Sequence, residues 1–126
     1  MDKIIKLLAD NKSLEFIIKN KSGWCQILFN QNNKTIQLGA HSIDTIKQKF
    51  QTVLNIDCFP ESTSEVNGKK ISWFLTLSET YCSCYATRNI DITELLFYCN
   101  ESFIATIRLT KDDCVSWSKQ LNKFYK

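Results

Sequence analysis

The chain has 126 residues, of which 44% are hydrophobic, 12% aromatic and 23% charged. That is enough apolar side chain for one self-supporting core and too much for a disordered chain. The net charge of +3 comes from 14 Lys and only 2 Arg against 13 acidic residues, and so few arginines, the preferred bidentate readers of phosphate and bases, argue against a dedicated nucleic-acid binder.

Residues 2–11 read as a short amphipathic helix with Ile4, Ile5, Leu7 and Leu8 on its buried side. Ser13–Asn20, Trp24–Asn30 and Lys34–Leu38 read as three antiparallel strands joined at Lys21-Ser22-Gly23 and Gln31-Asn32-Asn33. Gly39 ends the third strand, and Ser42 is placed to cap a helix in which Ile43, Ile46, Phe50, Val53 and Leu54 recur at helical spacing. That helix fades near Asn55, and residues 57–65, which hold the one proline, read as a loop or edge segment.

Asn67-Gly68 is the strongest hairpin-turn signal in the chain. Lys69–Ser78 reads as a strand with Ile71, Trp73, Leu75 and Leu77 on one face, followed by a strand over Tyr81–Thr87 and a connector over Arg88–Thr93. Leu95–Cys99 is apolar on both faces, as in a central strand covered on both sides. Beyond the polar break Asn100-Glu101-Ser102, Phe103, Ala105, Ile107 and Leu109 alternate with Ile104, Thr106 and Arg108, which predicts a half-buried strand. Thr110 and the pair Asp112-Asp113 mark the start of a helix carrying Cys114, Trp117, Leu121 and Phe124 on one face. The expectation is a single α+β domain over residues 1–126. It has a mainly antiparallel sheet of six to seven strands with an N-terminal, a middle and a C-terminal helix packed on it. A small barrel plugged by the last helix is the second architecture.

The cysteines are 25, 58, 82, 84, 99 and 114. The charges in Asp2–Asp10 interrupt any signal-peptide core, and no apolar run approaches the ~18 residues of a membrane span. A cytoplasmic setting follows as an expectation, with reduced thiols that are mostly small buried hydrophobes. Cys82-Ser83-Cys84 puts two thiols on one strand face, but zinc sites use wider spacing and a second pair. His41 is the one histidine; it sits beside the Ser42 cap, and no flanking pattern marks a cysteine as its nucleophilic partner. Gly23, Gly39 and Gly68 are turn residues, not a phosphate loop. Lys47, Lys49, Lys69 and Lys70 with Trp24, Trp73 and Tyr81 would suit a single-strand binder, yet lysines on a helix face and aromatics in strands are more simply solvated face and core. No cofactor or metal is expected.

Charge is distributed unevenly along the chain. Residues 1–56 carry a net +4, residues 57–101 a net −4 and residues 102–126 a net +3. An acidic middle segment gathered on one surface would steer a basic partner.

In the strand ISWFLTLSE (Ile71–Glu79), the strand pair around ELLFYCN and the closing helix DDCVSWSKQLNKFY, the chain resembles small bacterial immunity proteins of contact-dependent inhibition and polymorphic-toxin systems. It departs from the acidic overall charge common among them. The resemblance implies a cytoplasmic, non-enzymatic α+β module that binds and neutralises one cognate protein toxin, a nuclease among the options, by covering its active site. On charge and expected exposure, the partner-binding residues are Glu61, Glu65, Glu79, Asp91 and the aromatic anchors Tyr81 and Tyr85, with no membrane contact. The alternatives are a small nuclease-like enzyme using His41 and a nucleic-acid-binding adaptor.

Overall fold

The computed structural model describes residues 3–18, 23–61, 64–66, 69–71, 73–76 and 82–123. Four strands come first: β1 (Lys3–Ala9), β2 (Lys12–Ile18), β3 (Trp24–Gln31) and β4 (Lys34–Ser42), followed at once by α1 (Ile43–Leu54). A short antiparallel ribbon of β5 (Ser64–Val66) and β6 (Lys69–Ile71) comes next. Then a second set of four appears, β7 (Trp73–Thr76), β8 (Cys82–Asn89), β9 (Ile92–Cys99) and β10 (Ser102–Leu109), again followed by a helix, α2 (Lys111–Leu121). Each set is an antiparallel meander, ordered β1-β2-β3-β4 and β10-β9-β8-β7. The same plan, four-stranded meander then helix, is used twice.

This overturns the expected single sheet with three helices, and the plugged barrel as well: among the described residues there are two helices and two four-stranded sheets beside the ribbon. The helix expected over 2–11 is β1 and its turn. Ile5, Leu7 and Ala9 are buried, while Ile4 and Leu8 on the other face are 58% and 64% exposed. Two apolar residues on the solvent side hid the period-two alternation. The strand ends in a two-residue turn, Asp10-Asn11, with φ of 55° and 59°. Asp and Asn are the residues that tolerate such left-handed pairs, which join tightly twisted hairpins. Asn32-Asn33 and Asn100-Glu101 do the same for β3–β4 and β9–β10. The strand expected over Lys69–Ser78 is divided between β6 and β7, which belong to different sheets; the Asn67-Gly68 turn lies outside the described residues. The expected connector Arg88–Thr93 is the end of β8, a tight turn and the start of β9.

β4 runs past Gly39 to Ser42. Ile27 pairs with Gly39 and Leu28 with Gln37, so Leu38 is the extra residue of a bulge, and Gly39 sits at φ 135°, a conformation that side chains resist. The helix starts have clear local causes. The Ser42 hydroxyl accepts from the Thr45 amide at 3.1 Å. Thr110 and Asp113 form a reciprocal capping box, each side chain bonding the other's backbone N–H.

The core lies between the inner faces of the two sheets and the helices. Leu7, Leu14, Phe16, Ile27 and Phe29 from the first sheet meet Cys84, Leu95, Phe97 and Ile107 from the second. The Phe29 and Phe97 rings stand 5.6 Å apart, and Phe16 meets Phe50 of α1 edge-on at 5.8 Å. The sheets are also joined along their β1 and β10 sides. Asp10 accepts from the Arg108 amide at 3.2 Å and Lys12 donates to the Thr106 carbonyl at 2.7 Å, so side chains of the first turn and the start of β2 occupy backbone groups of edge strand β10. Trp117, fully buried, donates its indole N–H to the Leu8 carbonyl at 3.1 Å. The helices are tied by Gln51 and Ser118, whose side chains hydrogen-bond each other.

The cysteines divide three ways. Cys82 and Cys99, register partners on β8 and β9, form a disulfide, contrary to the expectation of reduced thiols throughout. Cys25, Cys84 and Cys114 are buried free thiols, as small hydrophobes would be, and Cys58 is exposed. Among the described residues no helix is long and apolar enough to cross a membrane.

Candidate protein-docking surface

The outer face of the second sheet carries a cluster of rings separate from the main core. Tyr85 of β8 and Tyr98 of β9 meet edge-to-face at 5.4 Å, and Tyr98 meets Phe103 of β10 edge-to-face at 5.5 Å. Both contacts use the favourable quadrupole geometry. The strand register explains them: Tyr98 lies directly opposite Phe103 and Tyr85 opposite Leu96, which puts Tyr85 and Tyr98 on one diagonal. Leu96 and Tyr98 are buried at 3% and 7%, whereas Phe103 is 51% exposed.

Phe103 owes its position to a bulge. The β9–β10 register shifts between Phe103 and Ala105, so Ile104 is the additional residue. Without it, Phe103, Ala105, Ile107 and Leu109 would share the core face, as their alternation predicts. With it, Ala105, Ile107 and Leu109 point inward and Phe103 turns out beside Tyr98. Nothing in the alternation announces the bulge, so sequence reasoning missed Phe103 as a surface aromatic and Tyr98 as the buried ring behind it. Further along this face Glu94 and Arg108 are ion-paired at 3.7 Å.

Of the sequence-predicted contact residues, Tyr85 belongs to this cluster. Glu61 is exposed in the chain after α1, and Glu65 is exposed on β5. Asp91 is in the β8–β9 turn, paired with Lys111 at 3.3 Å. Glu79 and Tyr81 lie outside the described residues. Among the described acids of the middle segment, Asp91 and Glu101 occupy turns at opposite ends of β9, about 25 Å apart for an eight-residue strand.

His41 is engaged locally. Its Nδ1 accepts from the Ser42 amide at 2.8 Å, and its ring stacks on Trp24 with centroids 6.0 Å apart. Cys25 is its register partner, but the thiol donates to the His41 carbonyl at 3.7 Å. Burial pushes the Cys25 thiol up to about 12, the opposite of what activates a nucleophile. Cys84 is pushed well up by burial too, and Cys114 is raised by burial in spite of Thr93 and Arg88 beside it. A broad depression of about 700 Å³ overlies the turn end of the first sheet. Its polar groups bond one another: Asn30 donates to Ser13 at 3.1 Å and to Glu15 at 2.6 Å and accepts from Thr35 at 2.6 Å.

Comparison with protein-family models, with curated proteins and with solved structures found no match to this chain.

Proposed function

We propose that the chain is a non-enzymatic protein-binding module of the immunity or inhibitor type, which neutralises a cognate protein toxin by covering its active site. The supporting observation is Phe103, half exposed, turned outward by a bulge and backed by Tyr98 and Tyr85 in edge-to-face contact. An aromatic side chain held in place before binding loses little freedom on association, and such residues dominate interface energetics. Tyr85 remains an anchor in this reading, with Phe103 as its exposed end. Glu101, exposed two residues before Phe103, supplies an acidic complement beside it.

The test is affinity capture from the host's lysate with a high-salt wash, run in parallel for the natural chain and for Phe103→Asp. Equal thermal stability of the two chains is established first. The expected result is one stoichiometric protein, toxic when expressed alone, retained by the natural chain and bound at least ~30-fold more weakly by Phe103→Asp, a hot-spot loss of about 2 kcal/mol. Equal retention by both chains removes the β8–β9–β10 face from the reading.

A further inference from the structure

The end of the second sheet that carries Phe103 is held by few contacts. After Cys99 the chain turns through Asn100 and Glu101, at φ 52° and 68°. Asn tolerates that left-handed conformation but Glu resists it, so the turn keeps its shape only while the strand ends on either side are fixed. Beyond Phe103 the bulge at Ile104 interrupts the ladder. Between turn and bulge just two pairs join β10 to β9, Ser102 with Cys99 and Phe103 with Tyr98. One of the two runs through Cys99.

Cys99 is also tied on its other side. It lies opposite Cys82, the first residue of β8, and the two form the disulfide. The bond therefore staples the open end of the β8–β9 hairpin and fixes the residue from which the Phe103 tip departs. The β8–β9 ladder runs unbroken from Cys82–Cys99 to Asn89–Ile92, so the two sulfurs stay opposed when the bond is open and strand pairing does not depend on it. Access is one-sided. Cys82 is 3% exposed, whereas Cys99 is half-buried at the end of its strand and offers the sulfur open to attack. Cys25, Cys84 and Cys114 are buried and take no part.

We infer that Cys82–Cys99 is a reversible redox gate on the docking face: closed, it holds Phe103 against Tyr98, and opened by a dithiol reductant, it releases the β9–β10 tip and with it the preformed anchor. One thiolate of the dithiol attacks Cys99 Sγ, the Cys82–Cys99 bond breaks, and Cys82 leaves as a thiolate that takes up a proton. The reductant's second thiol then displaces Cys99, which takes up a proton in turn, and the reductant departs as a ring disulfide. Two electrons and two protons pass from the dithiol to the protein, and a small-molecule disulfide reverses the sequence. The regulatory meaning rests on the inhibitor reading; the release of the tip does not.

Hydrogen exchange of the Cys58→Ser chain, oxidised and after dithiothreitol, tests the gate, with the mass after alkylation counting the opened thiols in each sample. The expected result is exchange at least ~10-fold faster at Phe103, Ile104 and Ala105 in the reduced chain, with β3 unchanged and full recovery once oxidised glutathione closes the bond. Cys82→Ala with Cys99→Ala should show the fast rates at the tip with or without reductant. Equal exchange at the tip in the two states makes the bond a plain structural staple and overturns the gate. Loss of protection in β3 along with the tip, or a bond that dithiothreitol does not open in the folded chain, overturns it too. The partner captured in the affinity test should bind the reduced chain at least ~10-fold more weakly, since the anchor must then be ordered on binding. Equal binding overturns the gate, whereas the absence of any partner overturns the inhibitor reading and leaves the exchange result to decide the release of the tip.

Discussion

Arg88, on β8, donates from Nη2 to the carbonyl of Val53 at 2.9 Å and so closes the C-terminus of a helix 35 residues earlier in the chain. Its Nη1 donates to the Asn55 carbonyl at 2.6 Å, its Nε to Thr93 Oγ1 at 2.8 Å, and its guanidinium lies 4.5 Å from the centre of the Phe59 ring. The last turn of α1 has no basic residue of its own. A cation at this end answers both the unpaired carbonyls and the helix dipole. Arg88→Ala should lower unfolding stability by about 3 kcal/mol, read as the shift of a urea midpoint at constant slope. Arg88→Lys keeps the charge but loses the planar fork, and should recover less than half of that.

The disulfide and the thiols make a second set of outcomes. Cys82–Cys99 closes a segment of sequence separation 17, for which loop-closure entropy amounts to about 3 kcal/mol. Replacing both with Ala should cost about 2–3 kcal/mol, and a reducing agent should lower the Tm of the natural chain but not that of the double variant. Without reductant, an alkylating reagent should label Cys58 rapidly in the folded protein. Cys25, Cys84 and Cys114 should react only after denaturation, since they are buried and their thiols are shifted away from thiolate.

Asp10 gives acid sensitivity to the join between the sheets. Desolvation pulls its carboxyl upward, but the Arg108 amide, the Lys12 hydrogen bond and both positive charges outweigh it and hold the group below its ordinary 3.8. A carboxylate lowered in the folded state adds stability above its unfolded value and loses it as pH falls through the folded one. The natural chain should therefore be more stable than Asp10→Asn at about pH 6, with the gap closing as pH falls through the lowered folded value. A gap that stays constant across a pH series of urea midpoints would mean that charge at Asp10 contributes nothing to the join.

Trp117 tests the seat of α2 on the first sheet. Trp117→Phe removes the donor to the Leu8 carbonyl and some ring volume, and should cost about 2 kcal/mol. Trp117→Ala, which leaves a cavity at a fully buried position, should cost about 3–5 kcal/mol. Thermal unfolding of the two variants gives the order directly.

Local rules made part of this molecule legible. Ser42 and Thr110 announce α1 and α2 because a capping side chain and a few helical periods are both short-range features. The doubly apolar run Leu95–Cys99 is a strand with core on one face and the Leu96–Tyr98 cluster on the other. The first ten residues misled because Ile4 and Leu8 face solvent, so strand and helix patterns fitted equally well until the turn geometry of Asp10-Asn11 settled the matter. Of the expected contact residues among those described, only Tyr85 falls in the ring cluster. Exposure and charge along the chain carry no information about which residues end up as neighbours.

By itself the sequence determined the apolar strand segments, the two helix starts and the residue types that tight turns need, since each depends on neighbours within a few positions. Only the tertiary structure decided that the strands divide into two sheets and that Cys82 meets Cys99. It also decided that Arg88 caps a distant helix and that a bulge turns Phe103 outward. These depend on strand register and on packing between segments tens of residues apart, and a one-residue shift of register moves a side chain to the other face without changing any local pattern.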